Sequence, residues 1–231
     1  MKISIIGAGQ IGGTLTRRFT ELGHEVSVAN SRGPQTLTAL AHETGAKAAS
    51  VTDAVRNAEL VVVTIPMKNV AQLPHDLLKG AAKNVVVVDT NNYYPQQRDG
   101  RIAGIEDGLT ESQYVAQQLG HTVVKAFNNI YARHLLELGK CAGAPGRIAL
   151  PVAGDDEKAK AVVMRLVNDL GFDAVDAGTL DESWRQQPGT PVYTADRNAE
   201  GVRKALAQAT KGRTAQWRAT ESSPGTFAQP A

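Results

Sequence analysis

Three glycines near the start of the chain have the spacing of a phosphate-binding loop. Gly7, Gly9 and Gly12 form a G-x-G-x-x-G pattern that follows an apolar run and precedes an amphipathic stretch. In such a loop the first glycine permits a tight turn, the second lets a pyrophosphate approach the backbone, and the third lets the helix pack on the strand. Unpaired amides at the helix N-terminus attract the anion. The context predicts a dinucleotide site that includes Gln10 and Ile11; the alternative is a glycine-rich turn without a ligand.

The residues after the second predicted strand indicate which dinucleotide is bound. NAD-binding loops place Asp or Glu about 20 residues after the glycines, where the acid binds the ribose 2′-hydroxyl. This chain has Asn30, Ser31 and Arg32 there. Ser31 can donate a hydrogen bond to a 2′-phosphate and Arg32 can pair with its charge, whereas an acid would repel it. The stretch predicts a preference for NADP(H); alternatively, Arg32 stacks on the adenine without selecting a phosphate.

Side chains that follow three later strands are candidates for the rest of the site. In open α/β sheets, ligands lie beyond the carboxyl ends of the strands, and segments 64–67, 89–92 and 125–129 arrive at that edge. The expected cofactor contacts among them are Ile65, Pro66, Asn91 and Asn128. Turn formation explains the pairs Asn91-Asn92 and Asn128-Asn129 equally well, because Asn tolerates left-handed backbone.

One ionisable side chain in this region, Lys125, is a candidate catalytic group. It follows a predicted strand, and it is either a proton donor beside a hydride acceptor or a partner for the carboxylate of Asp89. The chain has no G-x-S-x-G elbow, one cysteine, and five histidines without metal-ligand spacing. The sequence therefore predicts neither covalent nor metal catalysis.

Short Val/Ile-rich runs alternate with helical patterns and must position these residues. Strands are predicted at 2–6, 25–29, 60–65, 85–88 and 122–124. Helices are predicted from Ile11 to Leu22, at 34–43 and near 52–58. Strand and helix in alternation predict an α/β fold with a doubly wound, mostly parallel sheet of the Rossmann type.

A composition break at residues 142–146, Ala-Gly-Ala-Pro-Gly, indicates a linker. After it, a strand at 148–152, a helix at 155–170 and a strand at 172–175 predict a small C-terminal α/β lobe, which either stands apart or extends the first sheet. The predicted organisation is a dinucleotide-binding domain at 1–145, the lobe at 146–210 and a flexible tail at 211–231.

Composition limits the classes of function. The 231 residues are 42% apolar, which suffices for a packed core, and no apolar run is long enough for a membrane span or a secretory signal. A cytoplasmic protein is therefore expected. The net charge is +2, and the positive charge is concentrated at residues 197–231, which hold six basic and two acidic residues. Because these charges are scattered, they favour a solvated surface over nucleic-acid binding. Ring-stacking candidates for the site are Tyr93, Tyr94, Phe127, Trp184 and Tyr193, and Met67 is a further side chain that could pack against a ring.

The glycine loop and later segments together resemble a known family, the deazaflavin-dependent NADP oxidoreductases, which are themselves similar to the NADPH domains of membrane metalloreductases. The likeness covers roughly residues 1–180 and includes Ser31-Arg32, 60–66, 152–156, 158–170 and 176–178. It implies a Rossmann domain, a small C-terminal lobe and a cleft between them, with hydride passing directly between nicotinamide and deazaflavin. Ser31 and Arg32 match the family's 2′-phosphate contacts. Residues 33–36 lack the family's basic side chain, and residues 184–193, which would shape the acceptor pocket, depart from the pattern.

The sequence thus predicts an NADPH-dependent oxidoreductase that passes hydride to a planar acceptor such as a deazaflavin or flavin. We expect a homodimer with a small-molecule acceptor and without nucleic-acid or membrane partners. Two alternatives stay open: an NADPH-dependent reductase of a small carbonyl or imine, and a non-catalytic NADP(H) sensor.

Overall fold

The computed structural model describes residues 1–212, 225 and 227–230. The tail predicted at 211–231 therefore lies largely outside the described residues. Within the described part, every predicted site residue lies on a strand, on a helix or in a loop that follows the carboxyl end of a strand.

A six-stranded sheet forms the centre of the fold. Its strands are β1 (Lys2–Ile6), β2 (Glu25–Ala29), β3 (Lys47–Ala48), β4 (Leu60–Val63), β5 (Val86–Asp89) and β6 (Val124–Lys125). Every pairing is parallel, and the spatial order is β3-β2-β1-β4-β5-β6. The chain reverses its direction of winding between β1 and β4, and in such sheets ligands bind at that switch point. The predicted doubly wound Rossmann sheet is confirmed.

Helices cover both faces of this sheet. They are α1 (Gln10–Glu21), α2 (Thr38–Thr44), α3 (Val51–Ala54), α4 (Ala103–Glu106), α5 (Glu111–Leu119), α6 (Ala132–Glu137) and α7 (Glu157–Asp169). A further helix, α8 (Ala199–Gln208), packs on the strands of the C-terminal unit. Shorter 3-10 segments lie at Pro34–Leu37, Met67–Gln72, Leu77–Gly80 and Leu180–Gln186, and a π turn lies at Pro95–Asp99. β4 is buried along its whole length, as expected for a strand covered on both faces.

Several helices begin or end at residues other than the predicted ones. The helix expected near 52–58 ends at Ala54, and the chain then turns through Asn57, whose φ of 59° is left-handed. The helix expected at 34–43 begins as the 3-10 segment at Pro34 and becomes α-helical only at Thr38. β3, α4, α5 and α6 were not predicted. β3 is only two residues long, so it carries no periodic signal.

The C-terminal part is a second, smaller α/β unit joined to the first. Strands β7 (Ala149–Val152) and β8 (Asp173–Asp176) pair in parallel. One antiparallel bridge connects the two sheets, with Lys125 and Ala153 exchanging backbone hydrogen bonds of 2.8 and 3.1 Å. A single hydrophobic cluster includes Phe19 of α1 and Leu166 of α7. The small unit therefore extends the sheet edge and shares a core with it; the division at residue 145 stays a prediction.

Candidate functional site

The glycine loop joins β1 to α1 at the switch point. The Gly7 amide donates a 2.8 Å hydrogen bond to the Ala29 carbonyl oxygen, and Gly7 has a φ of 111°. A Cβ on Gly7 would lie 2.1 Å from the Thr64 oxygen, and one on Gly12 would lie 1.9 Å from the Gly7 oxygen. Around Gly9, by contrast, a Cβ would meet no heavy atom within 4 Å. The outer glycines are thus required for packing, and the middle one leaves open space for a ligand.

The N-terminus of α1 faces this open space without a side-chain cap. The helix begins at Gln10, Gly9 is its N-cap, no side chain bonds to its first turn, and that turn holds no acidic residue. The first amides of a helix lack partners within the helix and carry partial positive charge. This end of α1 can therefore bind a pyrophosphate through backbone N–H groups.

The loop after β2 is shaped by Asn30. Its Oδ1 accepts a 2.9 Å hydrogen bond from the Arg32 amide, and its Nδ2 donates a 2.9 Å hydrogen bond to the Thr36 hydroxyl. The Asn30 side chain thus holds the turn, while Ser31 and Arg32 are exposed. Among the described residues, no carboxylate forms an ion pair with Arg32. A free guanidinium beside a hydroxyl, without a nearby acid, suits a ribose phosphate.

Two cavities meet over the glycine loop. The first, called here the β2 cavity, has a volume of about 580 Å³ and is lined by Gly7, Gly9 and the predicted residues Asn30, Ser31, Arg32, Ile65 and Pro66. The second, the β5 cavity, has a volume of about 450 Å³ and is lined by Gly9, Gln10, Ile11, Ile65, Pro66, Asn91 and Asn128. Gly9, Ile65 and Pro66 belong to both walls. The structure therefore brings the predicted cofactor residues to one continuous cleft, apart from Gly12, which packs beneath it.

Asn91 is held rigidly at the wall of the β5 cavity. Its Oδ1 accepts a 2.8 Å hydrogen bond from the Ile65 amide, and its own backbone amide donates a 2.9 Å hydrogen bond to Oδ1 of Asp89. Its Nδ2 is buried and has no partner among the described residues. A buried donor without a partner is costly, so a ligand carbonyl that accepted from Asn91 would be favoured there. The carboxamide oxygen of a nicotinamide has this chemistry.

Lys125 lies beneath the cleft and does not line either cavity. Its side chain is fully buried, with Nζ 3.3 Å from Oδ2 of Asp89 and 3.4 Å from Oε2 of Glu111. Nζ also donates to the backbone carbonyl of Asn91, and the Ser112 hydroxyl donates a 2.6 Å hydrogen bond to Oδ2 of Asp89. The ammonium group is thus enclosed by protein acceptors, and the pairing with Asp89 that the sequence left open is present. A catalytic role for Lys125 stays a prediction.

The carboxyl groups of Asp89 and Glu111 both lie beside the buried ammonium group of Lys125. Burial raises the pKa of Glu111 from 4.5 to about 7, while the charge of Lys125 and a hydrogen bond from the Tyr93 amide act in the opposite direction. Burial penalises the ionised carboxylate more than the nearby ammonium group stabilises it. Near neutral pH the cluster therefore exchanges a proton at Glu111.

The side-chain amide of Asn128, whose predicted cofactor contact stays a prediction, is bonded to protein groups. Its Nδ2 donates to Oδ1 of Asn92 at 3.1 Å and to the Gln186 carbonyl at 2.7 Å, and its Oδ1 accepts from Nε2 of Gln186 at 3.0 Å. The side chain ties the C-terminal unit to the end of β5. Asn128 thus shapes the β5 cavity without offering a free polar group to a ligand.

The ring candidates separate into cleft residues and core residues. Tyr94 and Tyr193 line the β5 cavity. Arg98, which was not among the predicted site residues, lines it with them. The other candidates do not line it: Met67, Tyr93 and Phe127 are buried, and Trp184 lines a separate cavity. Sequence spacing carries no sign of the Tyr94–Tyr193 contact, since 99 positions separate the two residues.

Residues 1–212, 225 and 227–230 contain neither a metal-ligand cluster nor a membrane-spanning helix. No group of three or more His, Cys, Asp or Glu in that part of the chain could hold a metal ion. No helix in it is both long and apolar enough to cross a membrane.

A parallel sheet of this order, with a glycine loop and an uncapped helix at its switch point, defines a Rossmann-type dinucleotide-binding protein. Residues 2–93 match the model of the family described as NADP oxidoreductase, coenzyme F420-dependent. The crystal structure of hypothetical protein SMa0349 from Sinorhizobium meliloti is 31% identical, with a TM-score of 0.70 over 84% of this chain and 93% of that one. The chain belongs to the same family as this protein.

Two further proteins are similar over different lengths. A structure from Arthrobacter sp. FB24, named as an F420-dependent NADP-reductase, is 25% identical, with a TM-score of 0.64 over 80% of this chain and 87% of that one. Protein YjhV of Escherichia coli strain K12 is 51% identical over 70 residues, which is 30% of this chain and about half of YjhV (51%). The likeness to the NADPH domains of membrane metalloreductases stays a prediction.

Proposed function

We propose that this protein is an NADPH-dependent oxidoreductase that transfers hydride between NADP(H) and a planar acceptor, such as a deazaflavin or flavin, held in the β5 cavity. The observation that carries the proposal is the continuous cleft over the glycine loop. Arg32 at one end and the side-chain nitrogen Nδ2 of Asn91 at the other have no ion-pair or hydrogen-bond partner, respectively, within the described part of the chain. The family and the named Arthrobacter neighbour support the same chemistry. A cytoplasmic location and a homodimer are kept as predictions.

Different residues of the cleft would bind different parts of NADP(H). Arg32 and Ser31 would hold the ribose 2′-phosphate, the amides at the start of α1 would hold the pyrophosphate, and Asn91 would orient the nicotinamide through its carboxamide. When bound, NADPH supplies the hydride. The protein contributes proximity and alignment of the two rings, since Ile65 and Pro66 form a wall common to both cavities.

Cofactor selectivity is tested by Arg32→Ala. A charge-assisted hydrogen bond is worth about 1.5–3 kcal/mol, so the variant should bind NADPH roughly 10- to 100-fold more weakly and bind NADH as the wild type does. Affinities are measured by nicotinamide fluorescence. Arg165→Ala, which removes an exposed guanidinium from α7, is the matched control and should leave both affinities unchanged. NADPH affinity equal to wild type in Arg32→Ala would refute the assignment.

Turnover is tested by following NADPH absorbance with a deazaflavin, a flavin and a set of small carbonyls. Oxidation of NADPH by either planar acceptor supports the proposal. Reduction of carbonyls alone would replace it with the carbonyl or imine reductase. Tight binding of NADPH with no turnover on any acceptor would favour the sensor.

A further inference from the structure

Two phenol groups meet at the wall of the β5 cavity. The hydroxyl oxygens of Tyr94 and Tyr193 are in hydrogen-bond contact, and both side chains line the cavity and are half-buried. Each phenol has one hydrogen, so the pair has two, and their mutual hydrogen bond uses only one. No acceptor among the described residues takes the second hydrogen. The pair therefore has one O–H group free for a ligand in the cavity.

Neighbouring groups indicate which phenol has the free hydrogen. Nδ2 of Asn92 lies 3.5 Å from the Tyr193 oxygen, and an amide N–H can only donate. Tyr193 then accepts from Asn92, and in the arrangement in which it donates its own hydrogen to Tyr94, the Tyr94 O–H is the free donor. The guanidinium of Arg98 lies over the Tyr94 ring, 5.0 Å from its centroid. This cation stabilises negative charge that develops on the Tyr94 oxygen.

Both phenols are protonated at neutral pH. Burial raises the pKa of Tyr94 and of Tyr193 above the usual value of 10, and the contact between the two rings raises that of Tyr193 further. Neither group is a base under ordinary conditions, so the pair can only donate.

We infer that Tyr94 is the proton donor to the acceptor in the β5 cavity, that Tyr193 is the group that reprotonates it, and that the substrate class is an acceptor whose reduction consumes a proton together with the hydride. The inference rests on the proposed function and deepens it. It excludes acceptors that are permanently cationic, since these become neutral when they gain a hydride and need no proton.

The step balances for a deazaflavin ring. The C4–H bond of the nicotinamide breaks, its hydride forms a new C–H bond at carbon 5 of the deazaflavin, and NADPH is thereby oxidised to NADP⁺. The electron pair of the C4a=C5 bond moves to C4a–C10a, and that of the conjugated C10a=N1 bond moves onto ring nitrogen N1. The O–H bond of Tyr94 breaks as its proton goes to N1. Tyr94 then takes the proton of Tyr193, and Tyr193 recovers one from water. The net change is one hydride and one solvent proton added to the acceptor.

The kinetic test uses NADPH and 5-deazariboflavin with the full chain. General acid catalysis contributes 10²- to 10⁴-fold, so Tyr94→Phe should lower kcat by about 100-fold or more and abolish the solvent deuterium isotope effect. Tyr193→Phe keeps the donor and should lower kcat by roughly 10-fold, because it removes the hydrogen bond that stabilises the Tyr94 oxyanion and leaves water to reprotonate Tyr94. Tyr114→Phe makes the same chemical change on α5, away from the cleft, and should behave as the wild type.

A binding test does not depend on turnover. With NADP⁺ bound, the affinity for oxidised 5-deazariboflavin is measured by fluorescence quenching. Loss of one neutral hydrogen bond should weaken binding about fivefold in Tyr94→Phe and leave it unchanged in Tyr114→Phe. The affinity for NADP⁺ alone should be equal in all variants, and equal melting temperatures show that each one folds.

Failure of the inference differs from failure of the proposed function. If the wild type oxidises NADPH and Tyr94→Phe keeps its kcat, isotope effect and probe affinity, the inference is overturned and the proposed function stands. If the wild type turns over no acceptor, the proposed function fails, and the binding test alone decides whether Tyr94 donates to a ligand. A wild type that does not bind the probe overturns the inference.

Discussion

Glu111 links the stability of this fold to pH, and the size of the effect follows from its position. Its carboxyl group is fully buried beside Lys125, and burial raises its pKa from 4.5 to about 7. Because the folded-state pKa lies above the unfolded one, the folded chain binds this proton more tightly. The contribution of Glu111 to stability is complete below about pH 4.5 and is lost as the pH rises through about 7. At 1.36 kcal/mol per pH unit, the loss amounts to about 3 kcal/mol.

Glu111→Gln isolates this contribution, because glutamine has a similar shape and does not ionise. Free energies of unfolding are measured by urea titration of both proteins from about pH 4.5 to 8. The stability of the wild type minus that of the variant should fall by about 3 kcal/mol over this range. Glu25→Gln, at the exposed start of β2, is the matched control and should give a constant difference. A constant difference for Glu111→Gln would refute the argument that burial dominates this group.

Three further predictions concern packing and charge. Gly12→Ala places a methyl group 1.9 Å from the Gly7 oxygen and should lower the free energy of unfolding by about 1–3 kcal/mol in thermal unfolding. Gly9→Ala should melt as the wild type does but bind NADPH more weakly in calorimetric titration. Lys125→Met leaves two buried carboxyls without a cation and should cost about 3–5 kcal/mol in urea unfolding; unchanged stability would contradict the ion cluster. Asp156→Ala removes the N-cap that accepts from the amides of 158 and 159, which should cost about 0.5–2 kcal/mol by the same assay.

The half of the fold that binds the dinucleotide could be predicted because its signals are local. β1 and β2 are short apolar runs whose observed bounds equal the predicted ones, and the stripe of Leu15 and Phe19 marks α1. The glycine pattern lies between them within six positions. β3 could not be found this way, because its two residues form a strand only through pairing with Ser27 and Val28.

The other half of the site depends on contacts that no spacing reveals. Lys125 has the residue type and strand-end position of a catalyst, and only the structure shows that it is completely buried between Asp89 and Glu111. Tyr94 and Tyr193 approach each other because Gln186 and Asn128 tie the C-terminal unit to the end of β5. Such pairings depend on how the two units dock, which sequence periodicity does not encode.

The core shared by α1 and α7 has a thermodynamic consequence for regions far from the nucleotide. Because Phe19 and Leu166 belong to one cluster, and Arg18 donates a 2.7 Å hydrogen bond to the Leu170 carbonyl, neither unit can open without exposing the other. A ligand present at 100 times its Kd raises the free energy of unfolding by about 2.7 kcal/mol for every segment that opens only in global unfolding. NADPH should therefore slow amide hydrogen exchange in α7, which does not contact the β2 cavity, as much as in β1.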